Sequence, residues 1–124
     1  MTKPLALVVY ENLMPGSQLP NRLTDLGYRV QTLPDVVRLV EHAAREMPLI
    51  VILDLASQKH DICAVIRDLK ANPGTSHIPV IAYAGSRQTD RQTAAQEAGA
   101  VLVASDEGII TQLPQLLEHA LRVD

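Results

Sequence analysis

The stretch LIVILDL, Leu49 to Leu55, decides the fold. Its apolar residues run without interruption up to Asp54, and it is rich in Val and Ile. A helix with one wet face would break such a run every third or fourth residue, and a half-covered strand would alternate. A short unbroken run is a strand buried on both faces, as in a parallel sheet. Working outward, Leu5–Tyr10 (LALVVY), Val80–Ala84 (VIAYA) and Ala100–Ala104 (AVLVA) have the same character. Tyr28–Leu33 (YRVQTL) differs, because Tyr28, Val30 and Thr32 alternate with Arg29 and Gln31. That alternation suits the edge of a sheet.

Helical periods fill the intervals. Leu19, Leu23 and Leu26 form one stripe; Val36, Val40, Ala43 and Met47 a second; Ile62, Val65, Ile66 and Leu69 a third. Leu113, Leu116, Leu117, Ala120 and Leu121 form the last, whereas Gln88–Ala98 offers only Ala94, Ala95 and Ala98 to bury. Ser17 and Thr111, each followed by Gln-Leu-Pro, are read as N-caps, since proline in a first helical turn sacrifices no intrahelical bond. Asn72-Pro73-Gly74 reads as a turn. Alternating strands and helices with right-handed crossovers give an α/β doubly wound, five-stranded parallel sheet. The flavodoxin-like order 2-1-3-4-5 is expected, with helices on both faces and Tyr28–Leu33 at an edge.

The 124 residues and 13.5 kDa make one domain, 1–124, with no output domain expected. Eleven Lys and Arg against fourteen Asp and Glu give a net charge of −3 without any basic run, which argues against nucleic acid as a partner. Absence of Trp and Phe argues against a base-stacking surface. No apolar run is long enough to span a membrane and no secretory leader is evident, so the expected location is cytoplasmic. Cys63 is read as a small apolar helix residue, and His42, His60, His77 and His119 show no metal-ligand spacing. His42 and His119 are assigned to wet helix faces. His60, in the loop after Asp54, is read as a solvated loop residue. Neither a glycine-rich phosphate loop nor a nucleophile elbow is present, and no enzymatic activity is expected.

In the expected order, ligands sit beyond the carboxyl ends of strands 1 and 3. The residues there are Tyr10, Glu11 and Asn12 on one side, Asp54 and Leu55 on the other. A carboxylate at that place either caps nearby amides or serves as a phosphoryl acceptor or metal ligand, and position alone does not choose between them.

Here the chain resembles, along essentially its whole length, the receiver domains of two-component response regulators. VILDL with Asp54 is similar to the strand carrying the family's phospho-accepting aspartate; Ile78–Ala84 (IPVIAYA) resembles its fourth strand, Ala98–Ala100 (AGA) the turn into the fifth, and Leu26–Val30 (LGYRV) the entry to the second. Asp61 matches a frequent acidic position after the acceptor.

Several positions depart from the family pattern. The acidic pair that holds Mg²⁺ reads Tyr10-Glu11, leaving Glu11 and Asp54 as two carboxylates for an ion that prefers six oxygens in octahedral array. The hydroxyl ending strand 4 is Ala84, with Ser86 two residues too late, and the switch aromatic is Val103. The lysine after strand 5 is Asp106, and the proline following it is Glu107. A phosphoryl group brings nearly two negative charges, so an acidic pocket of Glu11, Asp54 and Asp106 without a fixed cation disfavours it. Ala84 and Val103 together remove both halves of the family's conformational relay. A degenerate receiver is therefore expected, with no cofactor beyond weakly held Mg²⁺ on Glu11 and Asp54.

Three readings follow. The first is a signalling module acting through protein–protein contact, with a signalling protein, a histidine kinase or a second copy as partner. Its docking face would be helix 4, strand 5 and helix 5, carrying Gln88, Arg91, Gln92, Gln96, Glu118 and Arg122. The second is a response regulator phosphorylated on Asp54 by a histidine kinase. The third is a small-ligand or metal binder using the Glu11/Asp54/Asp106 cluster, or an anti-sigma-antagonist-like domain, although LASQ after Asp54 lacks the Asp-Ser phosphosite of that class.

Overall fold

The computed structural model describes residues 3–11, 16–33, 36–56, 61–85 and 87–121. The chain runs β1 (Leu5–Val9), α1 (Leu19–Asp25), β2 (Arg29–Leu33), α2 (Leu39–Glu46), β3 (Ile50–Asp54), α3 (Ile62–Ala71), β4 (Val80–Ala84), α4 (Thr89–Ala98), β5 (Leu102–Ser105), α5 (Asp106–Thr111) and α6 (Leu113–Leu121). All strand pairs are parallel, and the order is β2-β1-β3-β4-β5. Every residue of β1, β3 and β4 is buried, which is why those strands are written as unbroken apolar runs.

Each face of the sheet has its own core. Leu7, Val9, Val51, Leu53, Val80 and Ala82 pack under α2, α3 and α4. Ala6, Val8, Ile50, Ile52, Ile81 and Tyr83 pack under α1, α5 and α6. Alternate residues of one strand feed opposite cores, so Asp54, in phase with Ile50 and Ile52, belongs to the α1/α5/α6 side.

Several local expectations are corrected. β5 begins at Leu102, not Ala100, and lies at an edge with only Ala104 fully buried; Val101 is 48% exposed. In β2 the phase is not the expected one, since Gln31 is half-buried and Thr32 exposed. Gln31 Oε1 lies 2.7 Å from His42 Nε2, so this histidine ties α2 to the edge strand and is not merely solvated. Ser17 is not the cap of α1: Gln18 precedes the helix and makes no side-chain cap, while Pro20 stands in the first turn. Thr111 closes α5, donating its hydroxyl to the Glu107 carbonyl at 3.0 Å. The side chains that do cap are Asp61, accepting from the Ala64 amide at 3.2 Å, and Ser105, accepting from the Gly108 amide at 2.9 Å. Cys63 packs half-buried against the α2/α3/α4 core, as read from the sequence.

The Ala98-Gly99-Ala100 turn has a steric cause. Gly99 has φ +123°, and a Cβ there would come within 2.7 Å of Lys70 Cγ. Lys70 is itself tied down, donating from Nζ to the Ile78 carbonyl at 2.7 Å.

Candidate functional site

The carboxyl ends of β1 and β3 meet where the strand order reverses, and Asp54 stands there. Its side chain is only 4% exposed. Oδ1 accepts from the Ala56 amide at 2.8 Å and Oδ2 from the Glu11 amide at 3.4 Å. Glu11 thus meets Asp54 through its backbone, and its side chain is exposed. Tyr10 is half-buried, packed on the α1/α5/α6 core. A Cβ on Gly16 would overlap the Tyr10 ring, so this aromatic and this glycine are matched to each other.

Asp106 opens α5 just beyond β5. Its Oδ2 would lie 3.6 Å from a Cβ placed on Gly85, which locates the carboxylate over the end of β4. Burial, and then the charge of Asp54, hold the Asp106 carboxyl above its ordinary range. A first-turn position favours the anion, and those two influences outweigh it. Beneath lies Tyr83, the cross-strand neighbour of Asp54, with 0% exposure. Among the described residues its hydroxyl has no hydrogen-bond partner. Burial raises its ionisation far beyond the ordinary phenol range, with further contributions from Asp54, Asp106 and Tyr10. The phenol is therefore neutral, and it sits under the acidic edge. Its position between Asp54 and Asp106 was not read from the sequence, where Tyr83 is one more apolar strand residue.

Ala84 is fully buried and Val103 half-buried, both against the α2/α3/α4 core, and neither brings a polar atom to the edge. The expected outward glutamines are corrected. Gln88 Oε1 accepts from the Gly85 amide at 3.2 Å, and Gln92 Nε2 donates to the Gly85 carbonyl at 3.2 Å. Both hold the β4–α4 turn from inside. Arg91 is also drawn off the proposed docking face, because its guanidinium donates to the Leu55 carbonyl at 2.8 Å. Gln96 and Glu118 are exposed. Arg122, Asn12, His60 and Ser86 lie outside the described residues.

The chain superposes on the receiver domain of the sensor histidine kinase PA1611 from Pseudomonas aeruginosa, solved with a magnesium ion in its active-site cleft, with TM-score 0.84, 20% identity and 98% of both chains covered. The receiver domain of NtrX from Brucella abortus matches with TM-score 0.80 and 22% identity over 96% of this chain and 99% of that one. CheY4 of Vibrio cholerae matches with TM-score 0.76 and 15% identity over 93% and 99%. This is the receiver fold. In sequence, a 63-residue stretch, 51% of this chain, is 40% identical to the response regulator PleD of Caulobacter vibrioides, and covers 14% of that protein's length. No protein-family model matches the chain. No helix among the described residues is long and apolar enough to cross a membrane.

Receiver domains of this fold imply Mg²⁺ at the carboxyl edge, and the residues present do not fit it. Mg²⁺ demands a tight octahedron of oxygens at about 2.0–2.1 Å. Among the described residues no group of three His, Cys, Asp or Glu is placed to hold a metal ion. Asp54 and Glu11 are the two carboxylates at the ends of β3 and β1, and the half-buried Tyr10 beside them brings no carboxylate.

Proposed function

We propose that this protein is a receiver-fold signalling module of the two-component type that acts in the cytoplasm through protein–protein contact, without phosphorylation of Asp54 and without enzymatic activity of its own. The observation that carries this reading is Asp106, an anion placed beside Asp54 where the receiver pattern has a lysine. A phosphoryl group on Asp54 would add nearly two negative charges against a carboxylate already disfavoured as an anion. Ala84 supplies no hydroxyl to that group. Each such lost contact is worth roughly 3 kcal/mol, about a hundredfold in rate. The partner is a signalling protein, such as a histidine kinase, or a second copy of the chain.

Incubation with acetyl phosphate and Mg²⁺, followed by intact-mass measurement, tests this. The expected spectrum contains the unmodified protein alone. A phosphoryl increment in the parent that is lost in Asp54→Asn would instead establish a response regulator phosphorylated on Asp54.

A further inference from the structure

A cavity of about 630 Å³ lies at the opposite end of the sheet from Asp54. It is set where the parallel strands begin, among Leu5 of β1, Arg29 of β2, Leu49 before β3 and Pro79 before β4. Its floor is apolar, with Leu5, Pro48 and Ile78 buried. Met47 and Leu49 also line it and stay 54% and 42% exposed, so the domain by itself does not cover them. The basic residues of the lining are Lys3, Arg29 and His77, and none of the described residues that line it is acidic. Arg29 Nε donates to the Lys3 carbonyl at 3.2 Å, which engages one of five guanidinium donors and holds the two residues together. Among the described residues neither Lys3 nor Arg29 forms an ion pair, although the chain has a net charge of −3.

Met47 supplies a second, independent observation. It ends α2 at φ 52° and ψ 58°, and among the described residues it is the one non-glycine with positive φ. Glycine takes this left-handed conformation freely at a helix end, whereas a residue with a Cβ is strained in it. The strain holds a half-bare side chain at the cavity. Strain retained at such a place is a mark of a ligand clamp.

We propose that this cavity is a binding site for a small organic anion with an apolar body, of the class of a medium-chain carboxylate. Its head pairs with Arg29 and Lys3, and its chain covers Met47 and Leu49. Small-molecule sites are typically concave, about 300–1,000 Å³ in volume, and mostly apolar with a few convergent polar groups. This cavity has all three properties. Arginine is suited to a carboxylate because its planar fork offers two parallel N–H bonds. Pro4, Pro48 and Pro79 stiffen the lining, so little chain ordering is required on binding. Methionine, unbranched and polarisable, adapts to an apolar chain. Ile50 and Asp54 stand four residues apart on β3, about 13 Å. The proposal therefore holds whether or not Asp54 carries a phosphoryl group.

The test is a titration of the whole chain with decanoate, followed through backbone amide resonances in a ¹⁵N-labelled sample. Saturable shifts are expected at Lys3, Arg29, Leu49 and Ile78, with the Glu11 and Ala56 amides beside Asp54 unmoved. Arg29→Gln, at an exposed position, should fold and bind about tenfold more weakly, because a charge-assisted hydrogen bond is lost. Met47→Gly should separate stability from binding: relief of the left-handed strain raises the urea midpoint, while loss of the side chain weakens decanoate several-fold. Decyltrimethylammonium, with the same chain and the opposite charge, should not saturate, and neither should acetate, which has the head alone. The proposal is overturned if decanoate does not saturate, if decyltrimethylammonium binds equally well, or if Arg29→Gln leaves the affinity unchanged. It is overturned equally if the cavity amides shift on concentrating the protein alone, which would make a second copy the occupant, or if a short peptide ending in Leu-Asp displaces decanoate at lower concentration, which would make it a partner protein's segment.

Discussion

Helices α3 and α4 lie side by side on one face of the sheet and are held there by different forces. α3 is capped by Asp61 and buries Ile62, Ile66 and Leu69. Full burial of such side chains stabilises by about 1.5–3 kcal/mol each, with no demand on direction. α4 has no side-chain cap and buries only Ala95 and Ala98. Its attachment is supplemented by directed polar bonds, from Arg91 to the Leu55 carbonyl, from the Gly85 amide to Gln88 and from Gln92 to the Gly85 carbonyl. An apolar anchor is shared among many contacts, whereas a directed bond is lost whole when one group is removed. The element next to the acidic edge is thus the one most easily loosened.

The largest expected effect is on the apolar side of this contrast. Ile66, with 0% exposure, loses both transfer energy and packing when cut to alanine. Ile66→Ala should cost about 3–4 kcal/mol, measured by urea unfolding, and should raise amide exchange throughout the sheet. Arg91→Ala tests the other side. It should cost about 1.5 kcal/mol or less, because the bond is charge-assisted but half-exposed. Faster exchange is expected at Gly85 and within α4, with β3 amides unchanged. Acceleration spread evenly through β3 would break the comparison and make α4 as firmly anchored as α3.

The smallest effect sharpens the contrast at the same turn, where Asp106 overhangs Gly85. Its carboxyl is raised above the ordinary value of 3.8 by burial and by Asp54. The folded chain therefore holds the Asp106 proton more readily than the unfolded chain. The resulting cost is present in full at neutral pH and is relieved as pH falls through the raised value. Asp106→Asn should stabilise the protein at pH 7 by up to about 1 kcal/mol, a modest figure because the group is partly solvated. That gain should vanish as pH approaches 3.8. Thermal unfolding across this range measures it, and a gain independent of pH would assign the effect to packing.

Much of this architecture is legible in the chain itself. LIVILDL, LALVVY and VIAYA are continuous because their strands are covered on both faces, and that demand is met residue by residue. Asp54 could be placed at the sheet edge for the same reason, being the first charge after such a run. α5 was not legible: six residues including Gly108, with Ile109 alone fully buried, show no period. Nor was the direction of Gln88 and Gln92, whose spacing of four suggests an outer stripe.

By itself, the sequence determined the five strands and their order, the carboxylate at the switch point, and the placing of Ala84 at the end of the fourth strand and Asp106 just after the fifth. Those features are written locally, as hydrophobic runs and as single residues after them. Only the tertiary structure decided that Arg91 turns inward to Leu55, 36 residues away. It alone decided that Glu11 reaches Asp54 by its amide, across 43 residues, and that the Tyr83 hydroxyl lies beneath the acidic edge without a partner among the described residues. Burial leaves a periodic mark along the chain. A polar side chain's partner leaves none, because it is fixed by whichever distant backbone the fold brings within a hydrogen bond's reach.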